Sequence, residues 1–300
     1  MLTIDRFAIS FNCYTWGEYD VAQCLARVAH TPIRRVELPA EQVRPGSLIP
    51  ELMLPTPLHG NWRYSVPDLQ ALLEGHGMAV DSLDVFGYLG YPGSAGIIQR
   101  RIDFAVALGA GLIVLGVHHA ALADGSAASA DEQETVRRAI YELLRELCGF
   151  AADRGVRIAL EIHGGITANA AEALRTLEQV DRANLGINFD TANILYYNAD
   201  LDSAGGAEAL RMLADHVFHV HLKDITRGAT RAENVLPRLG TGMVDFPSVF
   251  AILDSAGFAG AYSLEVETFH GTTEAATIEP YQADVLASIE YLQSIGQFPE

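Results

Sequence analysis

Short apolar runs alternate with longer amphipathic segments along the whole chain of 300 residues. The apolar runs are rich in Val, Ile, Leu and Phe, which is typical of buried strands. The longer segments repeat apolar residues three or four positions apart, so they are predicted to be helices with one buried face. Glycines such as Gly109 and Gly155 mark the ends of predicted helices.

The alternation predicts eight strands, each followed by a helix. The strands are expected at residues 7–14, 35–38, 80–85, 112–117, 157–162, 185–189, 217–222 and 262–266. Strands separated by helices are parallel, and eight such units close into a barrel. We therefore predict an α/β fold, a single (β/α)8 TIM barrel domain over residues 1–300. An open doubly wound sheet is less consistent, because no Gly-rich phosphate loop follows the first strand.

A long connection, residues 39–64, follows the second predicted strand and contains five prolines. Loops of this length in a compact domain are usually functional or disordered. His59 and Trp62 lie in this connection and are candidate substrate-binding residues that stack on a sugar. Covering the core is the alternative role of these two side chains.

Four apolar runs in the second half end in polar residues two positions apart. The pairs are Glu161 and His163, Asn188 and Asp190, His219 and His221, and Glu265 and Glu267. Residues two apart on a strand point to the same face. The carboxyl ends of the strands meet at one rim of a barrel, where catalytic groups gather. Carboxylates and imidazoles are therefore predicted to converge there.

This concentration of charge is costly to bury unless a cation compensates it. The mixed oxygen and nitrogen set suits one divalent metal ion, Mn²⁺, Mg²⁺, Co²⁺ or Zn²⁺, with open coordination positions. Such a site can hold the carbonyl and neighbouring hydroxyl of a sugar, while a carboxylate acts as base. A single pair would more often be a satisfied hydrogen-bond partner. Four pairs on consecutive strands favour the metal site.

Three further residues near the predicted rim are candidates for the chemistry. One of His118 and His119, which follow the fourth strand, is expected to face the rim as a catalytic residue while the other packs sideways. Lys223 shares its facing with His221 and is a candidate to hold a substrate hydroxyl or phosphate. An ion pair with Asp224 or a nearby Glu is the alternative for Lys223.

The charge balance excludes several partner classes. The chain has 38 acidic and 20 basic residues, a formal net charge of -18, which disfavours nucleic acid and anionic membranes. We see no signal-peptide pattern and no apolar run long enough to span a membrane. The three cysteines lack CxxC spacing, so we expect a reducing, cytoplasmic location. Barrels of this kind often pair through their outer helices, which is compatible with a homo-oligomer.

Five segments resemble the sugar phosphate isomerase/epimerase family, the xylose isomerase-like barrel group. They are residues 160–165, 186–193, 219–224, 239–242 and 263–265. The resemblance implies one divalent metal ion held by Glu161, Asp190, His221 and Glu265. It also implies that Glu161 and Glu265 are the proton-transfer pair. His163 and Asn193 are candidate substrate-binding residues, and orienting a metal ligand is the alternative role of His163.

Two departures from the family pattern bear on the substrate. Asn193 stands where ketose 3-epimerases have His, and their motif continues differently after His221. Both departures argue against a free-ketose 3-epimerase. The Lys223-Asp224 form is similar to inosose dehydratase-like members.

The leading hypothesis is a metal-dependent isomerase or epimerase of a sugar or keto-sugar that acts through an enediolate. The alternative is a lyase of a keto-inositol or keto-glycoside, in which His118 or His119 protonates the leaving group. An abasic-site endonuclease is disfavoured by the charge and because that chemistry in the family needs several metal ions. A non-enzymatic sugar-binding barrel is the remaining hypothesis.

Overall fold

The computed structural model describes residues 2–14, 19, 21–40, 65–87, 89–270 and 277–299. Eight parallel strands form a closed barrel in which each strand pairs with the next and the last pairs with the first. The strands are β1 Phe7–Ser10, β2 Arg35–Pro39, β3 Ala79–Gly87, β4 Leu112–Val117, β5 Arg157–Glu161, β6 Leu185–Asp190, β7 Val217–Leu222 and β8 Ala261–Leu264. The predicted (β/α)8 barrel is confirmed.

The helices follow the strands in the predicted order. They are α1 Val21–Val28, α2 Val66–Gly75, α3 Ser94–Ala107, α4 Ala130–Ala152, α5 Ala170–Val180, α6 Asn193–Tyr196, α7 Ser203–Leu213, α8 Phe246–Ser255 and α9 Glu279–Ser294. Side-chain caps explain several of the starts. Ser129 and Glu132 form a reciprocal capping box at α4, for example, and such caps contribute about 1 kcal/mol. Within the described residues, no helix is both long and apolar enough to cross a bilayer.

Among the described residues, several element boundaries differ from the prediction by one or two residues, and three differences bear on the site. β1 ends at Ser10, and the next four residues form a 3₁₀ turn. β8 ends at Leu264, so Glu265 follows the strand instead of lying in it. The one-turn helix α6 was not predicted, because a single turn is shorter than the repeat that identifies a helix. Residues 41–64, with His59 and Trp62, lie outside the described residues.

Polar side chains fill much of the barrel interior, which in most such barrels is packed with branched apolar residues. Polar side chains of neighbouring strands contact each other there. Ser82 donates to Glu37 over 2.7 Å, and His219 Nδ1 lies 3.0 Å from Asn188 Oδ1. Both contacts are buried. The outward faces of the strands carry the main apolar core beneath the helices. The interior therefore offers polar groups close to the carboxyl rim.

The loop after β7 is folded around one buried carboxylate. Asp224 is fully buried, and its two oxygens accept four backbone N–H groups, from Ile225, Gly240, Gly242 and Val244, over 2.8–3.2 Å. A Cβ at Gly242 would lie 2.2 Å from Asp224 Oδ1, so only glycine allows this approach. This arrangement explains the Leu-Gly-Thr-Gly segment at residues 239–242.

Asp224→Ala is expected to lower the free energy of unfolding by about 3 kcal/mol, because buried backbone donors lose a charged acceptor. Urea denaturation measures this loss. Asp215, which is exposed, provides the control, and Asp215→Ala should change the stability by no more than about 0.5 kcal/mol. Equal losses in the two variants would show that Asp224 does not hold the loop.

Candidate functional site

Four polar side chains from consecutive strands meet at the carboxyl rim of the barrel. Glu161 and Asp190 are the last residues of β5 and β6, His221 is in β7, and Glu265 directly follows β8. One potential ligand atom of each lies within 4.8 Å of those of the other three. His221 Nδ1 is 2.9 Å from Glu265 Oε2, 3.4 Å from Glu161 Oε1 and 3.9 Å from Asp190 Oδ2. We call these four residues the rim cluster.

The structure separates the two members of three of the four polar pairs. Asn188 and His219 are opposite each other one layer below the rim, whereas Asp190 and His221 are opposite each other at the rim. Glu267 lies beyond the cluster, with Oε2 2.9 Å from the ammonium of Lys223. The structure therefore brings together the four residues that the family resemblance selects.

The atoms of the rim cluster fit a divalent cation. Asp190 Oδ2, Glu265 Oε2 and both ring nitrogens of His221 are buried and have no hydrogen bond of acceptable geometry among the described residues, although the two oxygens lie within ion-pair distance of the Lys223 ammonium. Three buried carboxylates carry more negative charge than this ammonium and the imidazole offset, so such a convergence needs further compensation. Three carboxylates and one imidazole form a donor set that suits Mg²⁺, Mn²⁺, Co²⁺ or Zn²⁺.

Lys223 provides one positive charge to this side of the barrel. It is the only lysine in the chain and is buried. Its ammonium lies 2.7 Å from Glu265 Oε2, 2.9 Å from Glu267 Oε2 and 3.1 Å from Asp190 Oδ2. Of the two ion pairs considered from the sequence, the one with a nearby Glu is present. Asp224 binds the backbone instead.

The pKa values show how the charges balance. Burial raises the pKa of Glu265, but the nearby His221 and Lys223 outweigh it and hold this pKa well below its usual range. Burial raises the pKa of Asp190 to about 7, and the negative charges of Glu265 and Glu161 also raise it. The ammonium of Lys223 lowers this pKa but does not outweigh them. The cluster therefore has more carboxylates than its cations neutralise, which is a condition that a divalent ion relieves.

A pocket of about 210 Å³ opens onto the rim cluster. Its lining residues are Asn12, Asp84, Glu161, His163, Asn193, Tyr196, Tyr197, Lys223, Leu236, Glu265 and Glu267. A larger cavity of about 470 Å³ lies at the amino ends of the strands, where Arg35, Leu112 and Arg157 line it. Because reactive groups in such barrels gather at the carboxyl ends, we assign the smaller pocket as the candidate functional site.

Asn12 and Asp84 were missed by the sequence analysis. The amide of Asn12 donates to both Asp84 Oδ2 and Glu265 Oε1, each over 2.8 Å, and so orients two carboxylates. The only signal for Asp84 was a carboxylate inside a predicted strand that also contains Asp81 and Ser82. On the other side of the pocket, Asn193 Nδ2 lies 3.3 Å from Glu161 Oε1, and the Asn193 backbone N–H donates to Asp190.

His118 and His119 have different surroundings. The ring of His118 packs edge-on against His163 with centroids 4.5 Å apart, and a Cβ at Gly116 would lie 3.4 Å from His118 Nε2 and 3.3 Å from Glu161 Oε2. Burial lowers the pKa of His118 to about 4, and His163 acts in the same direction. His119 stacks on Tyr91 and accepts the N–H of Ala121. The structure does not bring His119 to the pocket.

His163 lines the pocket beside an aromatic residue that the sequence analysis did not single out. Its Nδ1 lies 3.1 Å from the hydroxyl of Tyr197, which is also part of the lining. Above them, Arg231 stacks over the rings of Tyr196 and Tyr197 at 4.7 and 4.5 Å and pairs with Asp124 at 2.7 Å. This edge of the pocket thus combines polar tips with flat apolar faces, a surface suited to a sugar ring.

Lys223→Met is expected to lower the free energy of unfolding of the metal-free protein by about 3–5 kcal/mol, because it leaves buried carboxylates without their ammonium. Mn²⁺ should reduce this loss, since the ion restores positive charge beside Asp190 and Glu265. Urea denaturation with EDTA and with Mn²⁺ measures both values. Lys223→Arg, which keeps the charge, is the matched control and should lose less. A loss of the same size in EDTA and Mn²⁺ would contradict this account.

A closed parallel barrel places the chain in the class of (β/α)8 barrels, and the carboxylates and imidazole at its carboxyl rim form a cluster that could hold a metal ion. Within this class the particular family is identified by sequence. The family described as xylose isomerase-like TIM barrel matches residues 50–295. The chain belongs to this family.

The relatives of this chain include proteins named as sugar epimerases and proteins named as inosose dehydratases. The chain is 28% identical over 173 residues to an L-ribulose 3-epimerase of Methylomonas sp. (strain DH-1), covering 56% of the chain and 54% of that protein. It is also 28% identical over 141 residues to an inosose dehydratase of Geobacillus thermodenitrificans (strain NG80-2), covering 41% of the chain and 45% of that protein. The chain therefore spans about half the length of these relatives.

A solved structure confirms the fold over nearly the whole chain. It is a xylose isomerase-like TIM barrel protein from Mycobacterium smegmatis in complex with magnesium. It superposes with a TM-score of 0.71 and 15% sequence identity, and the alignment covers 99% of both chains. At this identity the likeness concerns the fold alone.

Proposed function

We propose that the protein is a metal-dependent isomerase or epimerase of a sugar or keto-sugar, acting by proton abstraction next to a carbonyl. The observation that carries this proposal is the rim cluster of Glu161, Asp190, His221 and Glu265 beneath a polar pocket. The epimerase among the relatives supports this reaction class.

The rim cluster would hold one divalent metal ion, with Mn²⁺, Mg²⁺, Co²⁺ and Zn²⁺ as the candidates. When bound, such an ion polarises the substrate carbonyl and stabilises the negative charge of the enediolate. By holding the ion at the floor of the pocket, the three carboxylates and the imidazole would determine where the substrate carbonyl binds.

Glu161 and Glu265 are the proposed proton carriers. Glu161 ends β5 and Glu265 directly follows β8. Glu161 Oε1 lies 3.4 Å and Glu265 Oε2 lies 2.9 Å from His221 Nδ1. One carboxylate takes the proton next to the carbonyl, and the other returns a proton to the opposite face, which inverts the carbon. Asn193 lies against Glu161, and Asn12 donates to Glu265, so each carboxylate has an amide that orients it.

The pocket wall would bind the hydroxyl groups of the substrate. His163 and Asn193 are the proposed substrate-binding residues, because their polar atoms line the pocket beside Glu161. Lys223 also lines the pocket and is a further proposed substrate-binding residue, placed to hold a substrate hydroxyl beside the carboxylates that it pairs with. His59 and Trp62 stay predictions, since they lie outside the described residues.

A lyase that eliminates water from a keto-inositol through the same enolate is the alternative. The inosose dehydratases among the relatives and the Lys223-Asp224 form favour it. His118 is a poor acid for this reaction, because its lowered pKa keeps the imidazole neutral. Asp84 is the better donor, since it lines the pocket and burial together with Glu161 raises its pKa well above the usual range.

Turnover by metal-loaded and chelated protein on a panel of ketoses, keto-inositols and their phosphates tests the proposal. We expect metal-dependent exchange of a substrate C–H for solvent deuterium. Product mass separates the two reactions, because elimination of water removes about 18 mass units and isomerisation removes none. An absence of exchange and turnover across the panel would contradict both, and would leave a sugar-binding barrel.

A further inference from the structure

Glu37 is a buried carboxylate that the proposed reaction does not use. It lies in β2 and is fully buried inside the barrel below the rim cluster. Ser82 donates to its Oε2 over 2.7 Å, and Ser263 donates to its Oε1 over 3.4 Å. Its Oε1 also lies 3.0 Å from His221 Nε2. A charged group in this position needs a reason, because burying it is costly.

The imidazole of His221 stands between two sets of carboxylates. Nδ1 faces Glu161, Asp190 and Glu265, whereas Nε2 faces Glu37. The two nitrogens of an imidazole ring point in divergent directions, so a carboxylate at Nε2 directs Nδ1 to the rim. Metal-bound histidines commonly donate their second N–H to a carboxylate, which fixes the tautomer and makes the ligand nitrogen more basic.

We propose that Glu37 is a positioning residue that holds His221 with Nδ1 free for the metal ion. This inference rests on the proposed metal centre. The contact between Nε2 and Oε1 is close but bent away from the direction of an ideal hydrogen bond.

The surroundings of Glu37 keep its carboxylate in place. Ser82 also contacts His219 Nε2 at 3.4 Å, and His219 is held by Asn188 at 3.0 Å and by Asp81 at 3.4 Å. These residues are all buried. Glu37 therefore belongs to a fixed network, and a fixed support can orient a ligand more accurately than a mobile one.

A second cation site formed by Glu37, His219 and His221 is the competing interpretation, since their ligand atoms also lie close together. The hydrogen bonds argue against it. Glu37 Oε2 has the hydroxyl of Ser82 and His219 Nδ1 has the amide of Asn188, so these groups are already satisfied. Within this group, the two ring nitrogens of His221 are the buried polar atoms that lack a well-aligned partner among the described residues, and Nδ1 faces the rim cluster.

Calorimetric titration with Mn²⁺ of the wild type, Glu37→Gln, Glu37→Ala and Asp81→Asn tests the proposal. We expect one Mn²⁺ per chain and a dissociation constant raised about 10–100-fold in Glu37→Ala. Glu37→Gln should fall between it and the wild type, because the amide oxygen still accepts the Nε2–H but carries no charge. Asp81→Asn changes a buried carboxylate that contacts His219 but not His221, so it should raise the dissociation constant much less than Glu37→Ala does.

The outcomes separate this inference from the proposed function. Wild-type protein that binds no Mn²⁺ overturns the metal centre itself. Variants at Glu37 that bind Mn²⁺ as tightly as the wild type overturn only the role of Glu37. A second ion that binds the wild type and is absent from these variants would show that Glu37 is itself a metal ligand, which also overturns the positioning role. If Glu37→Ala fails to fold, Glu37→Gln decides. Turnover that is lost in this variant but returns at high Mn²⁺ concentration supports a positioning role. Turnover that stays lost at every Mn²⁺ concentration contradicts it.

Discussion

Glu265→Gln is expected to lower kcat for the proposed proton transfer by about 10²–10⁴-fold, the range for loss of a general acid–base group. The amide keeps the shape of the side chain and can still accept the hydrogen bond from Asn12. It cannot carry a proton, and it weakens a charged ligand of the proposed metal ion. The rate of solvent deuterium incorporation at saturating Mn²⁺ and substrate measures the effect.

Glu267→Gln is the matched control, because Glu267 lies two residues further along the chain and also lines the pocket. Its carboxylate contacts Lys223 but does not belong to the rim cluster. We expect a smaller loss of rate in this variant. A larger loss in Glu267→Gln than in Glu265→Gln would show that the family resemblance selects the wrong carboxylate.

Removal of the metal ion is expected to lower turnover by about 10³-fold or more, since Lewis-acid stabilisation of a developing oxyanion contributes several kcal/mol. The ion should also stabilise the fold. At a free Mn²⁺ concentration of about 100 times the dissociation constant, the free energy of unfolding should rise by about 2.7 kcal/mol. Assays and urea denaturation in EDTA, and again after Mn²⁺ is restored, measure both effects.

Asp190→Asn provides the control for the metal effect. The side chain keeps its size, and its oxygen can still accept the backbone N–H groups that Asp190 Oδ1 binds. One negative ligand is lost, so stabilisation by Mn²⁺ should shrink while the stability in EDTA changes less. Chelated wild-type protein that keeps its full rate would contradict a metal-dependent reaction.

The barrel was predictable because strands and helices each leave a pattern of apolar residues within a short stretch of sequence. Strand β4, Leu112–Val117, is an unbroken apolar run, and its limits agree with the prediction. The rim cluster was predictable for the same reason, since residues two apart share a face of a strand. No contact between distant residues had to be known for either inference.

The choice between the members of each polar pair required the structure or the family resemblance. Depth in the barrel depends on how neighbouring strands are staggered, and alternation carries no information about that. The register between β6 and β7 shifts between Ile187 and Asn188, and it places His219 opposite Asn188 and His221 opposite Asp190. Such an irregularity has no clear mark in the sequence.

Glu37, Asn12 and Asp84 could not be predicted as site residues. Glu37 and Asn12 are isolated polar residues between apolar neighbours in the first half of the chain, and Asp84 is one of three polar residues in the third predicted strand, with Asp81 and Ser82. Glu37 in β2 contacts His221 in β7 across the barrel interior. These two residues are far apart in the sequence, and they meet only because the barrel closes. Their roles follow from three-dimensional contacts that sequence spacing does not contain.

Anomalous diffraction from a crystal of the protein grown with Mn²⁺ tests the central claim most directly. The account predicts one strong anomalous peak at the carboxyl rim, roughly 2.0–2.3 Å from a ligand atom of each of Glu161, Asp190, His221 and Glu265. A well-ordered crystal without a peak at this position, or with Mn²⁺ bound only elsewhere, would contradict it.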